Sequence, residues 1–438
     1  MKFYSLHKQS PAVTFKEAAI NGQAPDKGLY FPEHIPVFDK SFFDQIGTVP
    51  DEDIAFRVIR PYTGQSIPDD ELYRIVKETI DFPIPLVKLN EEIYSLELFH
   101  GPTLAFKDIG ARFMSRCLGY FSKDRKEKVI VLVATSGDTG GAVADGFYNV
   151  PGVEVIILYP AGKVSAIQEK QLTTLGNNIH ALEVNGNFDD CQDLVKQAFT
   201  DRELSKHSLL TSANSINVAR WLPQQFYYFF AWKQWAFKNQ LPVIAVPSGN
   251  FGNICAGLLA HASGLPVKHF IAACNVNDVV PRFLATGRYE PRKAIATLSN
   301  AMDVGNPSNF VRILEIFEKQ QEGLKQMLSS YSITDEETID TLKYLYQRFG
   351  YVADPHGAVG FLALTRYLND HPREKGIFLE TAHPVKFLSD VEQAIGAGIM
   401  IPPNIKSIME KKSQAISINV DYEQLRACIT NVSNGQGS

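Results

Sequence analysis

Continuous apolar runs along the chain alternate with stretches whose apolar positions recur every three to four residues. Val129-Ile130-Val131-Leu132-Val133-Ala134 is unbroken and rich in β-branched side chains, the pattern of a strand buried on both faces. Residues 153–159, 241–246, 269–273 and 377–380 repeat that texture. Helix-like periodicity fills the gaps at 141–148, 189–199, 216–238 and 253–263. Strands alternating with helices predict right-handed βαβ units, hence an α/β fold built on mostly parallel sheet. In such sheets ligands bind beyond the carboxyl ends of the strands.

The two ends read differently. Residues 1–92 carry Pro- and Gly-rich turns and an amphipathic stretch at 69–80, with no cluster of reactive side chains, so a packing or lid subdomain is expected there. After Ile401 the chain turns polar and irregular, which predicts a fraying tail over 401–438. A length of 438 residues exceeds one ordinary domain. Hydrophobic residues at 45% and charged residues at 21% describe an ordinary globular protein, and a net charge of −5 offers no basic field for nucleic acid or acidic lipid. Five scattered cysteines without a CxxC pair predict free thiols in a reducing compartment and no metal site. Neither a signal-peptide core nor an 18-residue apolar run is evident, so a cytoplasmic protein is expected, and a monomer for want of an obvious sheet edge or patch.

Five clusters carry candidate chemistry. Ser136-Gly137-Asp138-Thr139-Gly140 and Pro247-Ser248-Gly249-Asn250-Phe251-Gly252-Asn253 each follow a predicted strand and open a helix, where small residues and free amides suit an anion as well as a plain turn. Neither fits a Walker or a dinucleotide-binding loop. Lys107, between Phe106 and Ile109, reads either as a snorkelling surface lysine or as a desolvated nucleophile. Ser212-Ala213-Asn214-Ser215-Ile216-Asn217 precedes Arg220; Asn214 or Ser215 suits a helix cap, and Arg220 the fork of a phosphate or carboxylate site. Thr381, just past a short buried strand, is either a turn residue or a hydroxyl for a ring nitrogen.

Taken in order, the words GLYFP, ELFHGPTLAFKD, ATSGDTG, SANSIN, VPSGNFGN, LSNAMDVGNPSN and TAHP span nearly the whole chain. They resemble the threonine synthase family, in the longer form with an extra N-terminal domain. The resemblance implies the tryptophan-synthase-β-like fold (fold type II): two α/β domains with pyridoxal phosphate between them, plus the N-terminal subdomain. It divides the chain into an N-terminal part at 1–92, a large domain from 93–120 and 215–400, and a small domain at 121–214. Lys107 matches the lysine that holds the cofactor as a Schiff base. Gly249, Asn250, Phe251, Gly252 and Asn253 match the cradle of the cofactor phosphate, and Thr381 the hydroxyl facing the pyridine nitrogen. Thr135, Ser136, Asp138 and Thr139 match the loop on the substrate carboxylate; Ser215, Asn217 and Arg220 match the group on the substrate phosphate. Asp138 replaces an Asn common in shorter relatives, and Asn253 an Asp of many longer ones. The implied reaction converts O-phospho-L-homoserine and water to L-threonine and phosphate. A dehydratase or phospholyase releasing 2-oxobutyrate is the nearest alternative, and a non-catalytic phosphate-ligand sensor the more distant one.

Overall fold

The computed structural model describes all residues except 124–126, 202, 205–208, 319 and 435–438. Three sheets organise it. Near the N-terminus β1 (Lys2–Ser5), β2 (Val13–Thr14) and β3 (Tyr30–Pro32) form a small antiparallel sheet in the order β2-β1-β3. The helices Phe15–Asn21, Lys40–Gln45, Asp51–Thr63 and Asp69–Thr79 complete this part. The last is amphipathic as the sequence predicts, burying Leu72, Ile75, Val76 and Thr79.

The larger sheet contains β4 (Leu86–Lys88), β5 (Ile93–Glu97), β10 (Val243–Pro247), β11 (His269–Cys274), β12 (Leu328–Ser332) and β13 (Gly376–Glu380), in the order β12-β11-β10-β13-β5-β4. All neighbours are parallel except β4, the antiparallel edge. The smaller sheet contains β6 (Val129–Ala134), β7 (Val153–Pro160), β8 (Ile179–Val184), β9 (Leu209–Ser212) and β14 (Ala415–Ile418), in the order β14-β8-β7-β6-β9, all parallel. The unbroken apolar run of β6 is buried at every position, because helices cover both faces of its sheet. Predicted and observed strands agree within a residue or two. Pro242 delays the start of β10 to Val243, since proline has no N–H for the ladder.

Two expectations change. The helical stretch at 216–238 is three pieces, Val218–Trp221, a 3-10 turn Leu222–Gln224 and Gln225–Gln234, because Pro223 interrupts the helical hydrogen bonds. The tail does not fray over its length. Helix Pro403–Met409 buries Ile405, β14 pairs in register with β8, and helix Tyr422–Ser433 buries Leu425, Ile429 and Val432 beside Ile130 and Leu132 of β6. Its polar positions face outward, and its few apolar ones cover an otherwise open strand edge. The last four residues, 435–438, lie outside the described residues.

Candidate active site

All five clusters converge beyond the carboxyl ends of the two parallel sheets. The chain leaving β5 passes through Gly101–Phe106 and enters the helix Lys107–Ser122, which starts with Lys107 itself. Asp108 braces this entry by accepting from the Thr103 amide at 3.0 Å and from the Thr103 hydroxyl. Phe106 donates its amide to Thr381 O at 2.9 Å and accepts a bond from the buried Tyr227 hydroxyl. Loop and strand end are thus locked together, and Lys107 cannot drift from Thr381.

The Lys107 side chain is 15% exposed, so the snorkelling reading fails. Its Nζ lies 3.5 Å from Asp138 Oδ2. Burial lowers the amine below the ordinary lysine value, the charge of Asp138 opposes that, and the nearby cations Lys386 and Arg220 add to it. Asp138 opens the helix Asp138–Phe147 after Gly137, whose φ of 131° and lack of a side chain let it pass Gln168; a Cβ there would lie 2.4 Å from that side chain. Lys386 Nζ sits 2.8 Å from Asp138 Oδ1, and Gln168 Nε2 donates to the same oxygen at 2.9 Å. Burial alone would raise the Asp138 carboxyl; the two lysines and Gln168 outweigh it and hold the group well below the usual carboxylate range. Thr135 shapes this loop, its hydroxyl accepting from the Gly137 and Gly140 amides at 3.0 and 2.8 Å. Ser136 and Thr139 are partly exposed on the same turn.

Past β10, Gly249 packs so closely on the 301–302 backbone that a Cβ would lie 2.6 Å from Met302 Cα. Phe251 adopts the left-handed conformation, φ 62°, and turns the chain into the helix Gly252–Ala262. Its first-turn amides have no helical acceptors, which suits an anion. Asn253 spends its side chain locally, donating to Pro247 O at 2.7 Å.

Past β9, Asn217 rather than Asn214 or Ser215 caps the following helix, accepting from the Ala219 amide at 2.9 Å. Its amino group donates to Ala19 O and Ser212 O at 2.9 and 3.1 Å. Asn217 is fully buried and its amide is satisfied on both sides, so it shapes the loop from within. Arg220 is 3% exposed; Nη1 donates to Ala213 O, and among the described residues it has no carboxylate partner and its Nε has no hydrogen-bond partner. Desolvation lowers this guanidinium to about 10, leaving it charged at neutral pH. Thr381, buried beside the Lys107 loop, has a hydroxyl without a hydrogen-bond partner among the described residues.

Comparison with known proteins follows this layout. Residues 77–379 match the pyridoxal-phosphate dependent enzyme family, 2–80 the threonine synthase N terminus, and 357–429 the threonine synthase C-terminal family. The threonine synthase of Serratia marcescens is 44% identical over 428 residues, covering 97% of this chain and 98% of the relative. That of Escherichia coli K12 is 43% identical over 433 residues, covering 98% and 100%. The chain belongs to the threonine synthase family. The crystal structure of the Escherichia coli threonine synthase superposes with a TM-score of 0.92 at 42% identity, covering 98% of this chain and 100% of the other. A pyridoxal-phosphate-bound threonine synthase from Brucella melitensis gives 0.92 at 34% identity, covering 99% of each chain. Maize serine racemase, 16% identical with a TM-score of 0.53, shares the fold over 76% of this chain and 92% of its own.

Threonine synthases are pyridoxal-phosphate-dependent lyases of amino-acid biosynthesis, and the residues here fit that cofactor. A desolvated amine stands beside an unpaired threonine hydroxyl, and a glycine turn of free amides lies within reach of both sheets' ends. Sequence reasoning missed the cations and amides that hold these groups in place. Lys386, 1% exposed, bonds Thr103 O at 2.9 Å as well as Asp138. Arg312, fully buried, bonds Tyr30 O at 3.0 Å, Ile216 O at 2.7 Å and Asn309 Oδ1 at 2.7 Å, and stacks on Trp221. Lys386 stands in the TAHP word's continuation, and Arg312 one turn after LSNAMDVGNPSN, so the signal was adjacency to motifs rather than a pattern of their own.

Proposed function

We propose a division of labour for the reaction in which O-phospho-L-homoserine and water give L-threonine and phosphate. Bound pyridoxal phosphate supplies the electron sink that makes the substrate's α- and β-protons removable. Gly249–Asn253 hold its phosphate on the first-turn amides of the helix Gly252–Ala262, and Thr381 offers a neutral hydroxyl to its ring nitrogen. Lys107 would tether the cofactor; with substrate in its place, the freed amine would take the proton from the substrate α-carbon and return it to the bound conjugate so as to be neutral again. Only then would it take one from the β-carbon as the γ-phosphate leaves with the electrons of its C–O bond. Desolvation lowers that amine and so favours the neutral form that can accept a proton. The Asp138 carboxylate, fixed by Lys386 and Gln168, orients the amine between transfers.

Thr135, Ser136 and Thr139 bind the substrate carboxylate, with the amides of the helix Asp138–Phe147 behind them. Ser215 and Arg220 bind the γ-phosphate as it leaves, and Asn217 keeps their loop in shape. The observation that carries this reading is Arg220, a buried charged guanidinium with an unpartnered Nε, in a family whose reaction expels phosphate. Its cost is offset only when a dianion arrives. Sealing the site against bulk water matters too, since the water that adds at the β-carbon must be the only one admitted.

Incubation of the purified protein with O-phospho-L-homoserine should release phosphate and L-threonine in equal amounts. Phosphate accompanied by 2-oxobutyrate instead would make the chain a phospholyase and overturn the hydration step. The same reading takes the protein to be a cytoplasmic monomer without nucleic-acid or membrane partners. It is supported by five free cysteines, four of them buried, and by the absence among the described residues of any helix long and apolar enough to span a membrane. Sedimentation at micromolar concentration tests the monomer.

A further inference from the structure

We propose that Asn309 and Asn250 fix the Ser215 hydroxyl as a one-way hydrogen-bond donor aimed at a phosphate oxygen. The proposal rests on the reading that the 215–220 loop holds phosphate, and it assigns positioning roles to two asparagines on other loops. Ser215 Oγ lies 2.7 Å from Asn250 Nδ2 and 3.2 Å from Asn309 Nδ2. Which end of each amide faces the serine is dictated by chemistry. Asn309 Oδ1 takes a bond from Arg312 Nη1 at 2.7 Å, and a guanidinium can only donate. Asn250 Oδ1 takes one from the Ser308 amide at 2.6 Å, and a backbone N–H can only donate. Both NH2 ends therefore point at Ser215.

A hydroxyl oxygen has two lone pairs, and both are used. The remaining valence is the proton, which must be donated in a third direction. No described residue accepts it, while Ser215 itself is partly exposed. The surroundings are rigid: Asn309 and Arg312 are fully buried, and Arg312 also bonds Ser215 O at 3.3 Å and Ile216 O at 2.7 Å. Gly252 borders the same spot, since a Cβ on it would lie 3.4 Å from Ser215 Cβ and 3.3 Å from Asn309 Nδ2. Ser215 thus stands beside the amide-bearing first turn of the helix Gly252–Ala262. The Ser215 proton and the first-turn amides beside it together favour a ligand group that accepts. A phosphate dianion is such a group; an alcohol or an amino group must waste a donor against them. The phosphate oxygen can belong to the cofactor or to the substrate, and the two are separable by experiment.

The test is a cycle of Ser215→Ala, Asn309→Asp and the double variant. Asn309→Asp preserves shape and gives Arg312 a carboxylate, but it turns the donating nitrogen into an accepting oxygen, so the Ser215 proton is drawn inward. Two quantities are measured by calorimetry: binding of inorganic phosphate to the cofactor-loaded protein, and binding of pyridoxal phosphate to the cofactor-free protein. Asn309→Asp is expected to weaken one of them by about tenfold with Ser215 present, the size of one lost charge-assisted hydrogen bond. In the Ser215→Ala background the same change should have less than about a twofold effect. The affected quantity names the source of the phosphate. An Asn309→Asp loss of equal size in both backgrounds is a plain charge effect and overturns the proposal. If Ser215→Ala alone changes neither quantity, the phosphate reading of Ser215 is what fails. Should Asn309→Asp not fold, Asn250→Asp makes the same inversion at the other lone pair and is read the same way.

Discussion

Replacing Arg220 with methionine should strengthen the ligand-free fold while crippling the reaction. Desolvation lowers the guanidinium from its ordinary value to about 10. That difference corresponds to roughly 3 kcal/mol of penalty on the charged form. The sign follows from linkage: the folded value lies below the unfolded one, so the penalty is fully present below pH about 10, shrinks as pH rises from there toward the unfolded value, and is gone above it. At neutral pH the whole penalty applies. Methionine removes it and forfeits one hydrogen bond to Ala213 O, a loss of about 1 kcal/mol. The net gain is about 2 kcal/mol for the empty protein, visible as a higher melting temperature without phosphate or substrate. Against a phosphorylated substrate, loss of a buried bidentate cation should remove about 2–5 kcal/mol of transition-state binding, a drop of roughly 30- to 5000-fold in kcat/KM. Arg220→Lys keeps charge without the fork and should fall between. Any side activity on unphosphorylated serine should fall far less. A lower melting temperature together with equal losses on both substrates would make Arg220 a strut and refute the assignment.

Lys107→Ala should abolish turnover with the fold intact, and borohydride reduction with peptide mapping should place the pyridoxyl group on Lys107; a label on neighbouring Lys386 would move the assignment. Lys386→Met removes a charge that lowers the Lys107 amine, so the midpoint in pH for capture of pyridoxal phosphate by cofactor-free protein should rise, and an unchanged or lower midpoint counts against the charge cluster. Thr381→Val should bind cofactor yet lose about 10–1000-fold in turnover; normal turnover with a lower melting temperature would leave Thr381 a turn residue. Truncation after Ile401 strips the edge of β8 and bares the apolar surface under Leu425 and Ile429, so the shortened chain should melt lower and bind a hydrophobic dye, whereas an unchanged melt would show the tail to be dispensable.

The strands and the loops that follow them were readable because each is local. β6 declares itself by six consecutive apolar residues, and the glycines at 249 and 252 mark a turn that only a close approach explains. What sequence hid was long-range. Lys386 meets Asp138 across 248 positions, and Arg312 meets Tyr30 O across 282, pairings that no period or spacing announces. The tail was misread for the same reason: β14 is exposed at Ala415, Ile416 and Ser417, and its order comes from a partner strand more than 200 residues earlier. Arg220 and Asn217 stand three residues apart in one word, yet one faces an unmet need and the other is satisfied, a difference only the surrounding carbonyls reveal.

The path of the chain between its two parallel sheets has a mechanical corollary. It leaves the larger sheet's side after Ser122, returns after Ser212, and goes back again before Ala415 to lay down β14. Two bodies tethered at three places have fewer independent relative motions than a pair joined by a simple double hinge. The middle tether is the 213–217 stretch, whose Asn214 side chain grips Ala134 O at the end of β6 while Arg312 grips the carbonyls of Ser215 and Ile216. A change in spacing between the sheets therefore pulls on the segment that carries Ser215.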